Sequence, residues 1–198
     1  METTEQIILN SVHMPRYIEQ AFRIESWMAN SRELIKMASE LEKDLSILWG
    51  PPANYNKRDE SQPSLGFVQG IYFMLIAYAI ENMCKAEILK KKKTKIEKEI
   101  KKGKRLRKFV SIHDLVKLVR DEVGLQISEP EEELLLRLSR TAVWAARYPV
   151  PLWVKDINAN QRLSSGNELY LAYFHRDDIK RIKKLINKIE SYINDKKT

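Results

Sequence analysis

Apolar positions recur at helical spacing along most of this chain. From about Pro15 to Trp49, residues Ile24, Trp27, Leu34, Ala38, Leu41, Leu45 and Leu48 follow at intervals built from threes and fours, with Ser31 between Trp27 and Leu34. That spacing puts them on one face. It predicts one long helix, or two with a break near Asn30, stopped by Gly50-Pro51-Pro52. Residues 50–64, with three Pro and two Asn, read as a loop. From about Leu65 to Leu89 the chain is apolar on nearly every side, Tyr72 to Ile80 without interruption. A helix of that kind sits centrally among others. Gly66 and Gly70, four apart, would admit a close neighbour, whereas Glu81, Asn82 and Lys85 need partners or serve a site.

Further along, Ser111 and Asp114 resemble a capping pair before a short helix lined by Leu115, Val116, Leu118, Val119 and Val123 and closed by Gly124. Ser128 caps the next helix. Glu129, Glu131, Glu132 and Glu133 crowd its start, and Arg137, Arg140 and Arg147 lie toward its end, which suits the helix dipole. Leu134, Leu135, Leu138, Ala142, Ala145 and Ala146 form its buried side, and Pro149 and Pro151 stop it. Residues 149–174 read as mostly irregular. A last helix, 176–195, repeats Ile179, Ile182, Ile186, Ile189 and Ile193. This stripe packs on the core, with docking of a partner helix as the alternative. No internal repeat is visible.

Composition narrows the class. A chain of 198 residues fits one domain with a long insertion, and 43% hydrophobic residues suffice for a core. Six Gly and seven Pro, mostly between periodic segments, favour helices over a turn-rich β fold. The expectation is all-α: an up-and-down bundle of four to five core helices over residues 1–198, with a basic insertion and a C-terminal amphipathic helix. Cys84, the sole cysteine, reads as a small buried hydrophobe. The start, Met1-Glu2-Thr3-Thr4-Glu5, lacks the pattern of a signal peptide. No uninterrupted apolar run of about 18 residues is present, so the expected location is the cytoplasm, without a membrane span.

Charge is concentrated. The net charge is +8, yet Lys90 to Lys108 hold twelve Lys or Arg against two Glu, a local +10, which leaves the remainder at −2. Clustered cations attract nucleic acid without reading its sequence. The candidate nucleic-acid contacts are Lys90, Lys91, Lys92, Lys93, Lys101, Lys102, Lys104, Arg105 and Arg107. The competing reading is a solvated helical hairpin or frayed loop. No aromatic residue precedes Phe109 in the tract, so it offers no base stacking. His13, in a start read as unstructured, and His175 have no ligands at metal spacing, and no structural metal or cofactor is expected. No Gly-rich phosphate loop and no nucleophile elbow occur. Trp27, Trp49, Trp144 and Trp153 read as core and rim packing.

Three runs taken together carry a resemblance. Tyr72-Phe73-Met74-Leu75-Ile76-Ala77-Tyr78-Ala79-Ile80-Glu81-Asn82-Met83-Cys84-Lys85-Ala86 resembles the second core helix of the HEPN (higher eukaryotes and prokaryotes nucleotide-binding) family. His113-Asp114-Leu115-Val116-Lys117-Leu118 resembles the start of its third helix. Val143-Trp144-Ala145-Ala146-Arg147-Tyr148-Pro149-Val150-Pro151 resembles the W-x-x-R-Y-P end of the fourth in one prokaryotic branch. These cover roughly residues 65–155. The resemblance implies a helical bundle, often a homodimer. It also implies metal-independent endoribonucleases of toxin–antitoxin and phage-defence systems, or non-catalytic partners of such systems. The ribonuclease members carry an Arg and, after four to six intervening residues, a His near the end of the fourth helix. Here no His follows Arg137, Arg140 or Arg147 in that window, and the pair with that spacing, Arg107 and His113, stands before the third helix.

The first expectation is therefore a HEPN-like protein that engages RNA or a nucleic-acid-processing partner without necessarily cutting. The second is an endoribonuclease in which His113 takes a proton, Arg147 faces the phosphate, and Glu81 or Asn82 orients the imidazole. A buried Glu81–Arg147 pair joining helices is the structural counterpart of that arrangement. The third is a protein-interaction subunit that docks a partner such as a nucleotidyltransferase-type antitoxin.

Overall fold

The computed structural model describes residues 13–49, 65–102, 105–142, 160–170 and 174–195. Its described part is predominantly helical, in keeping with the all-α expectation. The elements are α1 (Met14–Ala21), α2 (Ile24–Glu40), α3 (Glu42–Leu48), α4 (Leu65–Lys91), α5 (Lys93–Lys101), α6 (Arg107–Val110), α7 (Lys117–Val123, wound as a π-helix), α8 (Glu129–Arg140) and α9 (Arg176–Asp195). A short antiparallel hairpin, β1 (Asn160–Arg162) and β2 (Glu168–Tyr170), pairs Gln161 with Leu169. It lies inside the stretch read as irregular.

α4 is the central element, as its all-round apolar sequence predicts. α2, α3, α5, α7, α8 and α9 all pack on it, α2 most extensively. The Ser31 hydroxyl donates to the Ala79 carbonyl at 2.9 Å, and the Tyr72 hydroxyl donates to Glu42 at 3.4 Å. The chain thus climbs along α2 while α4 descends, so the two run antiparallel. Burial beside Glu42 raises the Tyr72 phenol above its usual range. On length and composition alone, Phe67–Lys91 is long and apolar enough to cross a membrane, although Glu81, Lys85 and Glu87 interrupt its apolar run. More than half of it is enclosed by the surrounding helices, and its apolar surface serves the core.

The first helical stretch breaks elsewhere than expected. Asn30 lies inside α2, and the chain turns instead at Phe22–Arg23 and at Leu41. There are two apolar clusters. Ala21 and Phe22 join Leu89, Ile96 and Ile100 in a small cluster between α1 and α5, whereas Met28, Ala38 and Leu45 belong to the main core around α4. One straight helix cannot face both. Trp27 and Trp49 are half-buried against the main core; Trp144 and Trp153 lie outside the described residues.

The caps are partly as read. Ser128 and Glu131 form a reciprocal capping box, with the Ser128 N–H donating to Glu131 at 2.7 Å. Gly124, at φ 81°, takes the left-handed turn that ends α7, and the Tyr192 hydroxyl donates to its carbonyl at 2.6 Å. Ser111 does not cap α7. Asp114 does, accepting the Lys117 N–H at 3.0 Å. The isoleucine stripe of α9 is used inside the fold: Ile182, Ile186, Ile189 and Ile193 are buried with Leu185. It therefore does not serve as an exposed face for a partner helix.

Arg137 corrects a second reading. It does not merely complement the α8 dipole. It is buried and makes a bidentate pair with Asp178 at 2.6 and 3.0 Å, and its guanidinium lies over the Phe174 ring. Arg181 at 2.7 Å and the His175 N–H at 2.8 Å complete the shell around Asp178. Burial alone would raise that carboxyl, but the Arg137 guanidinium and the His175 N–H hold it below the usual aspartate range. At the start of α8, Glu132 accepts hydrogen bonds from the Ser164 N–H and hydroxyl, and Glu129 from Ser165 and Asn167. These acidic residues clamp the hairpin turn as well as facing the helix dipole.

Candidate functional site

Two features carry candidate chemistry. The first is built on α4. Glu81 and Lys85 stand one helical turn apart on a buried face, so helix geometry alone brings them together. Lys85 Nζ lies 2.5 Å from Glu81 Oε1, and the two side chains are 7% and 10% exposed. His113 reaches them from the segment before α7. Its Nδ1 lies 3.1 Å from both Glu81 oxygens, while the side chain as a whole is 59% exposed.

The approach of His113 is fixed on its C-terminal side. Asp114 caps α7, and the next N–H, that of Leu115, donates to the Ser139 hydroxyl at 2.9 Å. That hydroxyl donates in turn to the Leu135 carbonyl on α8. The imidazole is thus held against α4 by a backbone tied to α8. Among the described residues no group pairs with Nε2.

The structure brings together His113 and Glu81, as the second expectation requires, and adds Lys85, which that expectation leaves out. Asn82 is half-buried, and no hydrogen bond joins it to His113. Arg147 lies outside the described residues, so a Glu81–Arg147 pair falls outside them too. Cys84, one turn from Glu81 and Glu87, is fully buried, and burial pushes its thiol up to about 12. A thiol so placed is inert at neutral pH, as its sequence setting suggests. Among the described residues no three His, Cys, Asp or Glu side chains converge as they would around a metal ion.

The second feature is the basic tract. It is not a frayed loop over its first part. Lys90 and Lys91 end α4, and α5 docks on the small cluster through buried Ile96 and Ile100. Several cations have structural duties. Lys91 Nζ donates to the Val123 carbonyl at 2.6 Å, closing the end of α7, and Lys92 pairs with Glu122 at 2.5 Å. Lys90 lies 3.9 Å and Lys91 3.4 Å from buried Glu87. Lys101 pairs with Glu97 at 2.8 Å and Lys102 with Glu99 at 3.5 Å. The Lys101 bond holds the Glu97 carboxyl below its usual range.

Lys93, Lys95, Lys98, Arg105 and Lys108 have no acidic partner at ion-pair distance among the described residues. Of these, Lys95, Lys98 and Lys108 are not among the candidates read from the sequence. The signal that could have found them is the i, i+4 rule, since Ile96 and Ile100 mark the docked face of α5 and Lys95 and Lys98 lie off it. Lys104 lies outside the described residues, and for Arg107 only the backbone is described. Beside α5 a cleft of about 750 Å³ opens toward α1, with Met14, Ile18 and Phe22 on one side and Lys93, Glu97 and Lys101 on the other.

The described part is thus a helical protein with an imidazole–carboxylate–ammonium cluster and a docked basic helix. Comparison with protein-family models, with curated proteins and with solved structures gave no match.

Proposed function

We propose that this chain is a HEPN-like bundle of four to five core helices that engages RNA through its phosphate backbone, in a defence or toxin–antitoxin setting in the cytoplasm. The observation that carries the proposal is the docked basic helix. Buried Ile96 and Ile100 anchor α5, so Lys95 and Lys98 are presented from an ordered surface, and Arg105 and Lys108 likewise have no acidic partner at ion-pair distance among the described residues. Ordered cations lose less freedom on binding than cations on a mobile tail. The family part of the reading rests on the three sequence runs given above.

The test is binding of a fluorescent unstructured oligoribonucleotide over a salt series. For a single strand, each phosphate that is no longer neutralised lowers the slope of log affinity against log salt by about 0.7. Lys95→Glu with Lys98→Glu should flatten the slope and weaken binding at least tenfold. Absence of any salt-sensitive binding would overturn the reading. It would favour the protein-interaction subunit, whose partner would be a nucleotidyltransferase-type protein.

The His113–Glu81 contact favours a second reading, endoribonuclease action. In it, His113 Nε2 takes the proton of a 2′-hydroxyl, the 2′-oxygen bonds to phosphorus, and the bond from phosphorus to the 5′-oxygen breaks. The departing oxygen takes a proton from solvent, and a 2′,3′-cyclic phosphate remains. Arg147 is the cation assigned to the charge on phosphorus. RNA incubated with the protein in EDTA should yield discrete fragments that disappear in His113→Ala and in Arg147→Ala. Intact RNA would leave the binding reading alone.

A further inference from the structure

We infer that Lys85 and Glu81 together fix the His113 ring with Nδ1 donating to the carboxylate and Nε2 presented as an outward-facing base. Lys85 is the positioning residue of the site. This rests on the reading of His113 as a proton acceptor, but it is measured without RNA.

An ionised carboxylate only accepts hydrogen bonds. Nδ1 sits 3.1 Å from both Glu81 oxygens, so Nδ1 holds the hydrogen and donates it. The second ring nitrogen then keeps its lone pair, because a neutral imidazole carries a single N–H. With the side chain 59% exposed and Nδ1 turned inward to Glu81, Nε2 is the nitrogen left for an incoming hydroxyl.

A carboxylate by itself would be free to turn away from the ring. Lys85 removes that freedom. Its ammonium, 2.5 Å from Glu81 Oε1 and itself buried, holds the carboxylate in place with both oxygens 3.1 Å from Nδ1. Glu81 is thereby kept where it orients the ring. The Glu81–Lys85 pair is set by the pitch of α4 and needs no contribution from the substrate.

The experiment is nitrogen NMR of protein labelled at the histidine rings, at neutral pH. The chain has three His, and His113 is assigned by the signals absent from His113→Gln. A pyrrole-type Nδ1 with a pyridine-type Nε2 is expected. The opposite tautomer, or fast exchange between both, would overturn the inference. In Lys85→Met the carboxylate is no longer held, so the Nδ1-protonated form should lose its dominance, and Lys85→Arg should restore it. A His113 ring unchanged in Lys85→Met would remove Lys85 from the role. Should Lys85→Met not fold, Glu81→Gln serves instead. Its amide no longer fixes the tautomer, so the Nδ1-protonated form should lose its dominance, and a spectrum like wild type would overturn the inference. RNA cleavage is scored separately. The expected tautomer without cleavage leaves the inference standing and ends the ribonuclease reading. Cleavage with the opposite tautomer does the reverse.

Discussion

Two buried ionic clusters in this protein differ in one respect. Around Asp178, the carboxylate is enclosed by Arg137, Arg181 and the His175 N–H, and Asp178 and Arg137 are 0% and 2% exposed. Around Glu81, the carboxylate faces Lys85 on one side and, on the other, a His113 ring that stands 59% in solvent. The first cluster is closed and joins α8 to α9. The second leaves one ring atom available. A closed buried pair has a structural role, because removing either partner strands a charge away from water. An open one leaves a polar ring atom at the surface with a fixed backing.

Substitutions should separate the two. The largest effect is expected at Arg137. In Arg137→Met the buried Asp178 keeps Arg181 but loses its bidentate partner, so stability should fall by about 3 kcal/mol, the lower end for a broken buried pair. Urea unfolding followed by far-UV circular dichroism measures it. A loss below about 1 kcal/mol would place the two clusters on one footing.

Lys85→Met comes next. Glu81 would remain buried with His113 as its only partner among the described residues, and a loss of roughly 1–3 kcal/mol is expected. The closed cluster should also show itself in acid. The Asp178 carboxyl is depressed in the folded state, so its contribution is present above the unfolded aspartate value of about 3.9 and fades as pH falls below it. In Asp178→Asn that part of the acid sensitivity should disappear, as read by unfolding midpoints between about pH 5 and 2. The smallest effect is expected at His113→Ala. An exposed side chain away from the core should cost within about 0.5 kcal/mol. A cost like that of Arg137→Met would make His113 a structural residue.

Much of the architecture is legible in the chain, for physical reasons that also explain the misses. α4 announces itself because a helix packed on all sides must be apolar on all sides. α9 does so because its stripe faces a single surface. The Ser128–Glu131 cap is a local event, and local events leave local patterns. The break at Phe22 leaves no such trace. Residues 21–22 and 28–45 continue one helical rhythm but serve two different clusters, and periodicity records spacing rather than destination.

Asp178 is hidden for the same reason. An Asp in the first turn of a helix reads as a dipole partner, and nothing nearby says that it belongs to an arginine 41 residues earlier. The approach of Glu81 to His113 is anticipated as one way of orienting the ring. The Glu81–Lys85 contact could have been found from the i, i+4 spacing of opposite charges on a helix otherwise too apolar to carry them. In the basic tract, charge alone marks twelve cations between Lys90 and Lys108 without ranking them. Ranking them requires knowing that Ile96 and Ile100 point inward.

The tie between α8 and α9 has a bearing on the order in which the chain can acquire its structure. During synthesis α8 emerges before Asp178 exists, so the Arg137 guanidinium has no deep carboxylate to meet and must stay hydrated. The Gly124 carbonyl likewise waits for Tyr192, 68 residues later. α9 then supplies, in one 20-residue piece, the apolar stripe, the carboxylate and the phenol that the earlier helices lack. The entropy of long-range loop closure is given up at that step and offset at once by several interactions together. The late helix therefore acts as a gate on folding. A nascent chain stalled before α9 should remain open to proteases across α7 and α8, and release of α9 from the ribosome should close both.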